Sequence, residues 1–169
     1  MTNNDIIRRL RYTLGFGNKD VIEMFRLVQV DMDYDTLDRL LKKEEEEGYV
    51  ECNAKVMELF LDGLIILKRG PRDSSKPAPK KSNEEQAAFN NVILRKIRIA
   101  LEFKDGDMLE CLRLGNFPIS KSELSALFRK PSHRNYMDCQ EQLLRKFLSG
   151  LNKYLNGDTA EDFDEENED

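Results

Sequence analysis

The chain has 169 residues, of which 40% are hydrophobic and 35% are charged, and its net charge is −5. This composition is typical of a charge-rich globular protein and excludes a disordered chain. No apolar run approaches the roughly 18 residues of a membrane span, so we expect no membrane partner. One histidine and three cysteines, without a Cys-x-x-Cys pair, argue against a structural zinc site or a disulfide framework and favour a reducing cytoplasm.

The sequence contains a long internal repeat. When it is shifted by 87 positions, residues 3–68 align with residues 90–155 without a gap, and 20 of the 66 aligned pairs are identical. A repeat of this length indicates a structural unit that occurs twice. Because about 70 residues can barely form a hydrophobic core alone, we expect the two copies to pack their cores together.

The repeat divides the chain into four parts. They are repeat 1 (residues 3–69), a linker (70–89), repeat 2 (90–157) and an acidic tail (158–169). The linker contains three prolines and no apolar periodicity, which predicts a solvated connector. The acidic tail carries eight acidic and no basic residues, and we expect it to be disordered.

The apolar pattern predicts an all-α protein, with about four helices in each of two pseudo-symmetric repeats and no strand. The first helix of repeat 1 is predicted over residues 4–14. Its copy in repeat 2 begins earlier if Ser82 and Glu85 form a capping box. The second helix is predicted to begin near Asn18 in repeat 1 and near Asp105 in repeat 2.

The bounds of the third helix follow from capping residues and a proline. In repeat 2 it is predicted to begin at Ser120, whose Ser-x-x-Glu spacing is that of a capping box, and in repeat 1 at Asp33. Proline is not tolerated inside a helix. Pro131 therefore predicts that the third helices end near Lys43 and Lys130.

The fourth helix closes each copy. It is predicted to begin near Cys52 and Cys139, and Gly63 and Gly150 recur within it or at its end. Glycine inside a helix costs up to about 1 kcal/mol relative to alanine. Its recurrence therefore indicates either close approach of another backbone or a helix C-cap.

Two motifs occur in both copies. Each copy opens with two adjacent asparagines and an Arg/Lys-rich amphipathic helix, and closes with Tyr-x-x-Cys and then Phe-Leu-x-Gly-Leu. In these features the chain resembles the YehS-like family, a group of bacterial tandem-repeat proteins whose function is uncharacterised. The resemblance covers residues 3 to about 155 and excludes the acidic tail. It implies a helical repeat fold and a cytoplasmic bacterial origin, and it implies no activity.

Candidate catalytic and metal-binding residues do not form a recognised set. A Cys–His nucleophile needs a base and an orienting third group, and His133 has no counterpart in repeat 1, so packing is the favoured role of Cys52 and Cys139. The acidic run at residues 44–47 is lost in repeat 2 and lacks the ligand spacing of a calcium or magnesium site, which favours a solvated charge run. No nucleotide-binding or hydrolase motif occurs. We therefore expect a protein that is not an enzyme and has no cofactor.

Charge is distributed unevenly along the chain. Residues 1–70 carry 11 basic and 14 acidic side chains, which gives −3, residues 90–157 carry 12 and 7, which gives +5, and the acidic tail gives −8. The basic positions that recur in both copies are candidates for polyanion binding. The alternative is an ordinary solvated helix face with intrahelical ion pairs. The candidates are Arg8, Arg11, Arg95, Arg98, Arg129 and Lys130.

Two classes of function stay open from the sequence. One is an uncharacterised, non-catalytic helical binding or adaptor protein that engages a protein partner through a groove between the copies. The other is a nucleic-acid-binding protein that uses the basic face of repeat 2, with the acidic tail as a competitor for that face.

Overall fold

The computed structural model describes residues 1–71, 75 and 88–157. Within these residues the protein is all-helical, as predicted, and both copies have the same order of four helices. The Ser82–Glu85 capping box, most of the linker and the acidic tail lie outside the described residues. Helices α1 to α4 of repeat 1 and α5 to α8 of repeat 2 span, in chain order, Asn3–Thr13, Asn18–Leu27, Tyr34–Leu40, Ala54–Arg69, Phe89–Leu101, Asp105–Leu114, Lys121–Leu127 and Glu141–Asn156.

The predicted starts of the third helices are confirmed. Before α3, the Asp33 carboxylate accepts the Thr36 backbone N–H at 2.7 Å. Before α7, Ser120 and Glu123 form the predicted reciprocal capping box. Each of these bonds satisfies a backbone N–H that has no partner inside the helix, which fixes where the helix begins.

The third helices end earlier than predicted. Both end three residues before Lys43 and Lys130. The cause is a distant side chain: Asn4 donates from Nδ2 to the Leu40 carbonyl at 2.7 Å, and the equivalent bond in repeat 2 is 2.9 Å long. This bond occupies a carbonyl of the last turn, and the chain leaves the helix there, four residues before Glu44 in repeat 1 and before Pro131 in repeat 2.

Within each copy the first and fourth helices are neighbours that run in the same direction. In repeat 1, Asn3 at the start of α1 donates to the Cys52 carbonyl just before α4 at 3.0 Å. At the other end, the Lys68 ammonium lies over the ring of Phe16, which follows α1. Contacts at the same two places occur in repeat 2, between Asn90 and Cys139 and between Tyr154 and Phe103.

The two copies also meet along parallel helices. Helix α1 lies beside α8: the Met1 ammonium pairs with Glu141 at the start of α8, and Asn156 at its end donates to the Thr13 carbonyl at 3.0 Å. Helix α4 lies beside α5, with Lys96 paired to Asp62 at 2.6 Å near the middle and Arg69 to Glu102 at 3.3 Å near the end.

The α1–α8 pair and the α4–α5 pair are equivalent, because each joins the first helix of one copy to the fourth helix of the other. The two repeats are therefore related by a pseudo-two-fold axis. Helices α1, α4, α5 and α8 close into one ring of parallel helices, here called the four-helix ring. It has an N-terminal end and a C-terminal end, at which all four helices start and finish respectively. Because α4 and α5 are parallel, the end of α4 and the start of α5 lie at opposite ends of the ring, separated by about the length of α5, about 20 Å. A long linker follows from this geometry.

Glycines allow the remaining helices to approach the ring closely. Helix α2 packs across α4, where Gly63 meets the Met24 carbonyl, and α6 packs across α8, where Gly150 meets the Cys111 carbonyl. A Cβ atom at either glycine would overlap the carbonyl oxygen. The predicted close approach of another backbone is therefore confirmed, and the alternative of a C-cap is wrong.

A single hydrophobic core runs through both copies, as expected from their size. Phe60 and Phe147 occupy equivalent positions on α4 and α8, and neither side chain is exposed to solvent. In repeat 1, Phe25 of α2 packs against Phe60 with ring centroids 6.2 Å apart. The core thus joins the ring helices to the helices outside them.

Candidate binding surfaces

A buried asparagine holds the loop between the third and fourth helices in each copy. In repeat 1, Asn4 Nδ2 donates to the carbonyls of Leu40 and Val50, at 2.7 and 2.8 Å, and its Oδ1 accepts the Cys52 N–H at 2.9 Å and the Tyr49 hydroxyl at 3.0 Å. All of its hydrogen-bonding capacity is used, so this polar cluster is structural and has no free group for a ligand.

The recurring asparagines, which the sequence pattern did not identify as structural, have the same role in both copies. Asn91 makes the equivalent bonds to the Leu127 and Met137 carbonyls, both at 2.9 Å, and to the Cys139 N–H at 2.7 Å. One feature of the sequence could have indicated this role: in both copies an asparagine occurs in the first turn of a helix, on a face that is otherwise apolar. An uncharged side chain that is both donor and acceptor suits a buried junction between three chain segments.

Three of the six predicted polyanion-binding residues serve the fold. Arg8 pairs with Asp5 and donates to the Lys42 carbonyl at 2.8 Å, so it fastens α1 to the end of α3. Arg11 donates to the Asn18 side chain at 2.8 Å, which links α1 to the start of α2.

Arg98, the counterpart of Arg11, serves the fold in the same way. It donates to the Phe103 carbonyl at 3.1 Å and to Asp105 at 2.7 Å. Its guanidinium also lies 4.9 Å from the ring centre of Phe128. These contacts hold the guanidinium against its own repeat, in the manner of Arg11 in repeat 1.

The other three predicted residues lie in repeat 2, one on a ring helix and two in a loop. Arg129 and Lys130 open the connection from α7 to α8, and Arg95 lies on the neighbouring α5. Burial raises the pKa of the Tyr136 hydroxyl in this connection, and the nearby Arg95 charge partly offsets the rise. Residues 129–134, here called the basic loop, also include the exposed His133 and Arg134, which are not among the six predicted residues.

Exposed apolar side chains concentrate at the C-terminal end of the four-helix ring. Among the described residues, eight large hydrophobic side chains are exposed, and five of them lie in the last turns of the ring helices. Solitary exposed apolar residues are normal on protein surfaces, but grouping at one end is a feature of interaction sites. These five side chains, here called the apolar end, are Tyr12, Leu67, Ile99, Tyr154 and Leu155.

The cysteines are packed inside the core. Cys52, Cys111 and Cys139 are buried and free, and burial raises the pKa of each thiol to about 12. A nucleophilic cysteine requires a lowered pKa and access for its substrate. The packing interpretation of the recurring pair is thus supported by both burial and protonation state.

The acidic run of repeat 1 forms a turn whose glutamates are exposed. One of them, Glu46, accepts the Lys43 backbone N–H at 2.5 Å. Within the described part of the chain, no three His, Cys, Asp or Glu residues are grouped to hold a metal ion. None of the described helices is both long enough and apolar enough to cross a bilayer.

Both copies match the same protein family, at residues 3–70 and 90–157, and that family is described as a protein of unknown function (DUF1456). The chain belongs to the DUF1456 family. It is also similar to the uncharacterized protein YehS of Escherichia coli strain K12, with 40% identity over 151 residues that cover 89% of this chain and 94% of the relative. The resemblance seen in the sequence motifs is therefore confirmed. No solved structure matches the chain significantly.

Proposed function

We propose that the protein is a non-catalytic adaptor that binds a protein partner through the apolar end. The observation that carries the proposal is the grouping of five exposed large apolar side chains at the C-terminal end of the four-helix ring. Two of the five are tyrosines, which are enriched where proteins bind one another because the ring is apolar and the hydroxyl is wet. The cysteines are buried and protonated, and the buried asparagines are bonded to the backbone of their own repeat, so we assign no catalytic role to either.

The charge at this end favours a partner with basic residues around an apolar anchor. The acidic tail, with eight carboxylates, leaves the fold after Gly157, directly beyond Leu155. Four helix C-termini meet here, and each carries a partial negative charge of about half an elementary charge. Of the basic side chains in these last turns, Arg69 is paired with Glu102 and Arg98 with Asp105. The others are Arg11, Lys68 and Lys153. A basic segment would therefore be attracted to the acidic tail and anchored on the apolar end.

The cellular setting is part of the same proposal. Three free, buried cysteines and no disulfide among the described residues fit a reducing cytoplasm. The similarity to a protein of Escherichia coli supports a bacterial origin. We propose a cytoplasmic bacterial adaptor.

Site-specific photo-crosslinking in cells tests the adaptor. A photo-reactive benzoyl group placed at Leu155 should give a discrete adduct, which weakens when the acidic residues of the tail are changed to their amides. The matched control is Tyr34, which is 56% exposed but lies at the start of α3, outside the apolar end. No adduct at position 155, or the same adduct at position 34, contradicts the proposal.

A further inference from the structure

We propose that the basic loop and Arg95 form a second binding surface, which takes the phosphate backbone of a single-stranded nucleic acid. This surface is separate from the apolar end and lies in repeat 2. Three of its residues, Arg95, Arg129 and Lys130, were predicted from the sequence, and His133 and Arg134 are additional. The proposal does not depend on the protein partner, and it rests on a comparison of the two copies.

The loops of the two copies share their backbone structure and differ in charge. In repeat 1 the Tyr49 N–H donates to the Glu46 carbonyl at 3.2 Å, and in repeat 2 the Tyr136 N–H donates to the His133 carbonyl at 2.9 Å. The aligned residues are four glutamates in repeat 1, at 44–47, and Pro-Ser-His-Arg in repeat 2, at 131–134. Packing does not require this exchange, because the side chains concerned are largely exposed.

Arg95 does not have the structural role of Arg8, the aligned residue in repeat 1. In repeat 1, Arg8 is held by Asp5, one turn earlier on α1. The residue aligned with Asp5 is Val92, which cannot pair with Arg95. Within the described part of the chain, neither Arg95 nor Lys130 forms an ion pair, and both are at least partly accessible.

Helix ends add a favourable potential at the same place. In repeat 1 the ring helices start with side-chain caps from Thr2 and Asn53, whereas Ala88 before α5 and Gln140 before α8 provide none. Uncapped helix N-termini present free N–H donors and a partial positive charge, which favour anions. These ends support the surface that the cationic side chains define.

A nucleic acid fits this surface better than an acidic protein does. Arginine guanidinium groups bind phosphate through two parallel hydrogen bonds, and the exposed His133, adjacent to Arg134 in the chain, offers a ring on which an unpaired base can stack. The acidic tail of the same chain competes with any anionic ligand of this surface. The tail starts about 24 Å away, at the far end of α8, but its 12 residues can extend to about 40 Å.

The test measures binding of a fluorescently labelled oligothymidylate by anisotropy at several salt concentrations. The double variant K130E/R134E should bind about tenfold more weakly, and the slope of log affinity against log salt should fall by about 1.4, as expected for two lost contacts to a single strand. The charge-matched control is R39E/K55E, which makes the same change on exposed residues of repeat 1 and should change affinity less than about twofold.

Three results would overturn the proposal. The first is the absence of any salt-sensitive binding by the unaltered protein, and the second is an equal loss in K130E/R134E and R39E/K55E, which would show a response to net charge alone. The third is competition by polyglutamate that equals competition by unlabelled oligothymidylate at the same charge concentration, which would identify an acidic protein ligand instead. Because Lys130 and Arg134 are exposed, both variants should fold, and the neutral pair K130Q/R134Q should show about half of the loss in binding free energy.

Discussion

The Asn91 side chain accepts the backbone N–H of Cys139 at 2.7 Å, across 48 residues of chain. The same bond joins Asn4 to Cys52 in repeat 1 at 2.9 Å. Through these bonds the first ring helix of each copy fixes the loop that precedes the last ring helix. In repeat 2 that loop is the basic loop and its continuation, so a structural asparagine positions the proposed nucleic-acid surface.

Asn91→Ala should therefore destabilise the protein strongly. The substitution leaves the carbonyls of Leu127 and Met137 and the Cys139 N–H without their buried partner, and each unsatisfied group costs about 1–3 kcal/mol. We expect the free energy of unfolding in urea to fall by at least about 2 kcal/mol. Asn135→Ala, at an exposed position, is the control and should change it by less than about 0.5 kcal/mol. Equal effects of the two substitutions would contradict the assignment.

The equivalent phenylalanines give a second measure of the shared core. Phe60→Ala or Phe147→Ala should lower the free energy of unfolding by about 3–5 kcal/mol, because each removes a fully buried ring. Such a loss is a large part of the roughly 5–15 kcal/mol stability of an ordinary domain. Denaturant titration measures it, and a loss smaller than about 1 kcal/mol would mean that the ring is not packed as described.

Two glycines in repeat 2 should respond to alanine in opposite directions. Gly150→Ala brings a methyl group onto the Cys111 carbonyl and should destabilise by more than about 2 kcal/mol. Gly106, inside α6, has open space at its Cβ position and no positive φ, so Gly106→Ala should stabilise by about 0.4–1 kcal/mol. The two melting temperatures measure these effects, and a Gly150→Ala variant as stable as the unaltered protein would refute the close helix crossing.

The three thiols should not react with thiol reagents in the folded protein. Their pKa of about 12 leaves almost no thiolate at pH 8, and burial blocks access, so a thiol reagent should react with none of them until denaturant is added. Rapid reaction of any cysteine in the native protein would contradict this description of the core.

The same pKa values set a pH dependence of stability. In the unfolded chain a thiol ionises near pH 8.5, whereas in the folded protein burial raises the pKa of the Cys139 thiol to about 12. The folded state thus holds protons that the unfolded state has lost, and stability should fall as pH rises from about 9 to about 12. Cys139→Ala should remove up to about 1.4 kcal/mol per pH unit of this slope in urea titrations. An unchanged slope would show that this thiol ionises equally in both states.

Deletion of residues 158–169 should strengthen oligonucleotide binding. The deletion removes a charge of −8 that is tethered within reach of the basic loop. Affinity for oligothymidylate at low salt should rise, and the increase should shrink as salt screens the tail. A variant in which the acidic residues of the tail are replaced by their amides keeps the length of the tail and removes its charge. Comparing it with the deletion distinguishes the effect of charge from that of excluded volume. If neither change alters affinity, the acidic tail does not compete for this surface.

Local features of the fold were predictable from the sequence, and for physical reasons. The gapless repeat required matching helices, and Asp33 and Ser120 carry their capping chemistry within four residues of chain. The recurring Gly63 and Gly150 indicated a close backbone, because a helix does not otherwise retain a destabilising glycine.

Features that depend on distant residues were not predictable in this way. The early end of α3 depends on Asn4, 36 residues away. The roles of Arg8, Arg11 and Arg98 depend on which carbonyl or carboxylate the fold brings to each guanidinium. The spacing of basic residues along a helix is the same whether their side chains face solvent or a neighbouring loop. The six candidate residues could therefore be divided into structural and accessible ones only from the hydrogen bonds and ion pairs of the folded protein.

The parallel direction of α4 and α5 is the central claim, because it closes the four-helix ring and separates the apolar end from the basic loop. Spin labels at Leu67→Cys and Ile99→Cys test it by pulsed electron paramagnetic resonance, and the buried native cysteines should not take up label. Parallel helices with axes about 8–10 Å apart predict a distance distribution centred below about 30 Å. An antiparallel pair would separate the labels further by nearly the length of α5, about 20 Å, and a distribution centred above about 30 Å would contradict the ring.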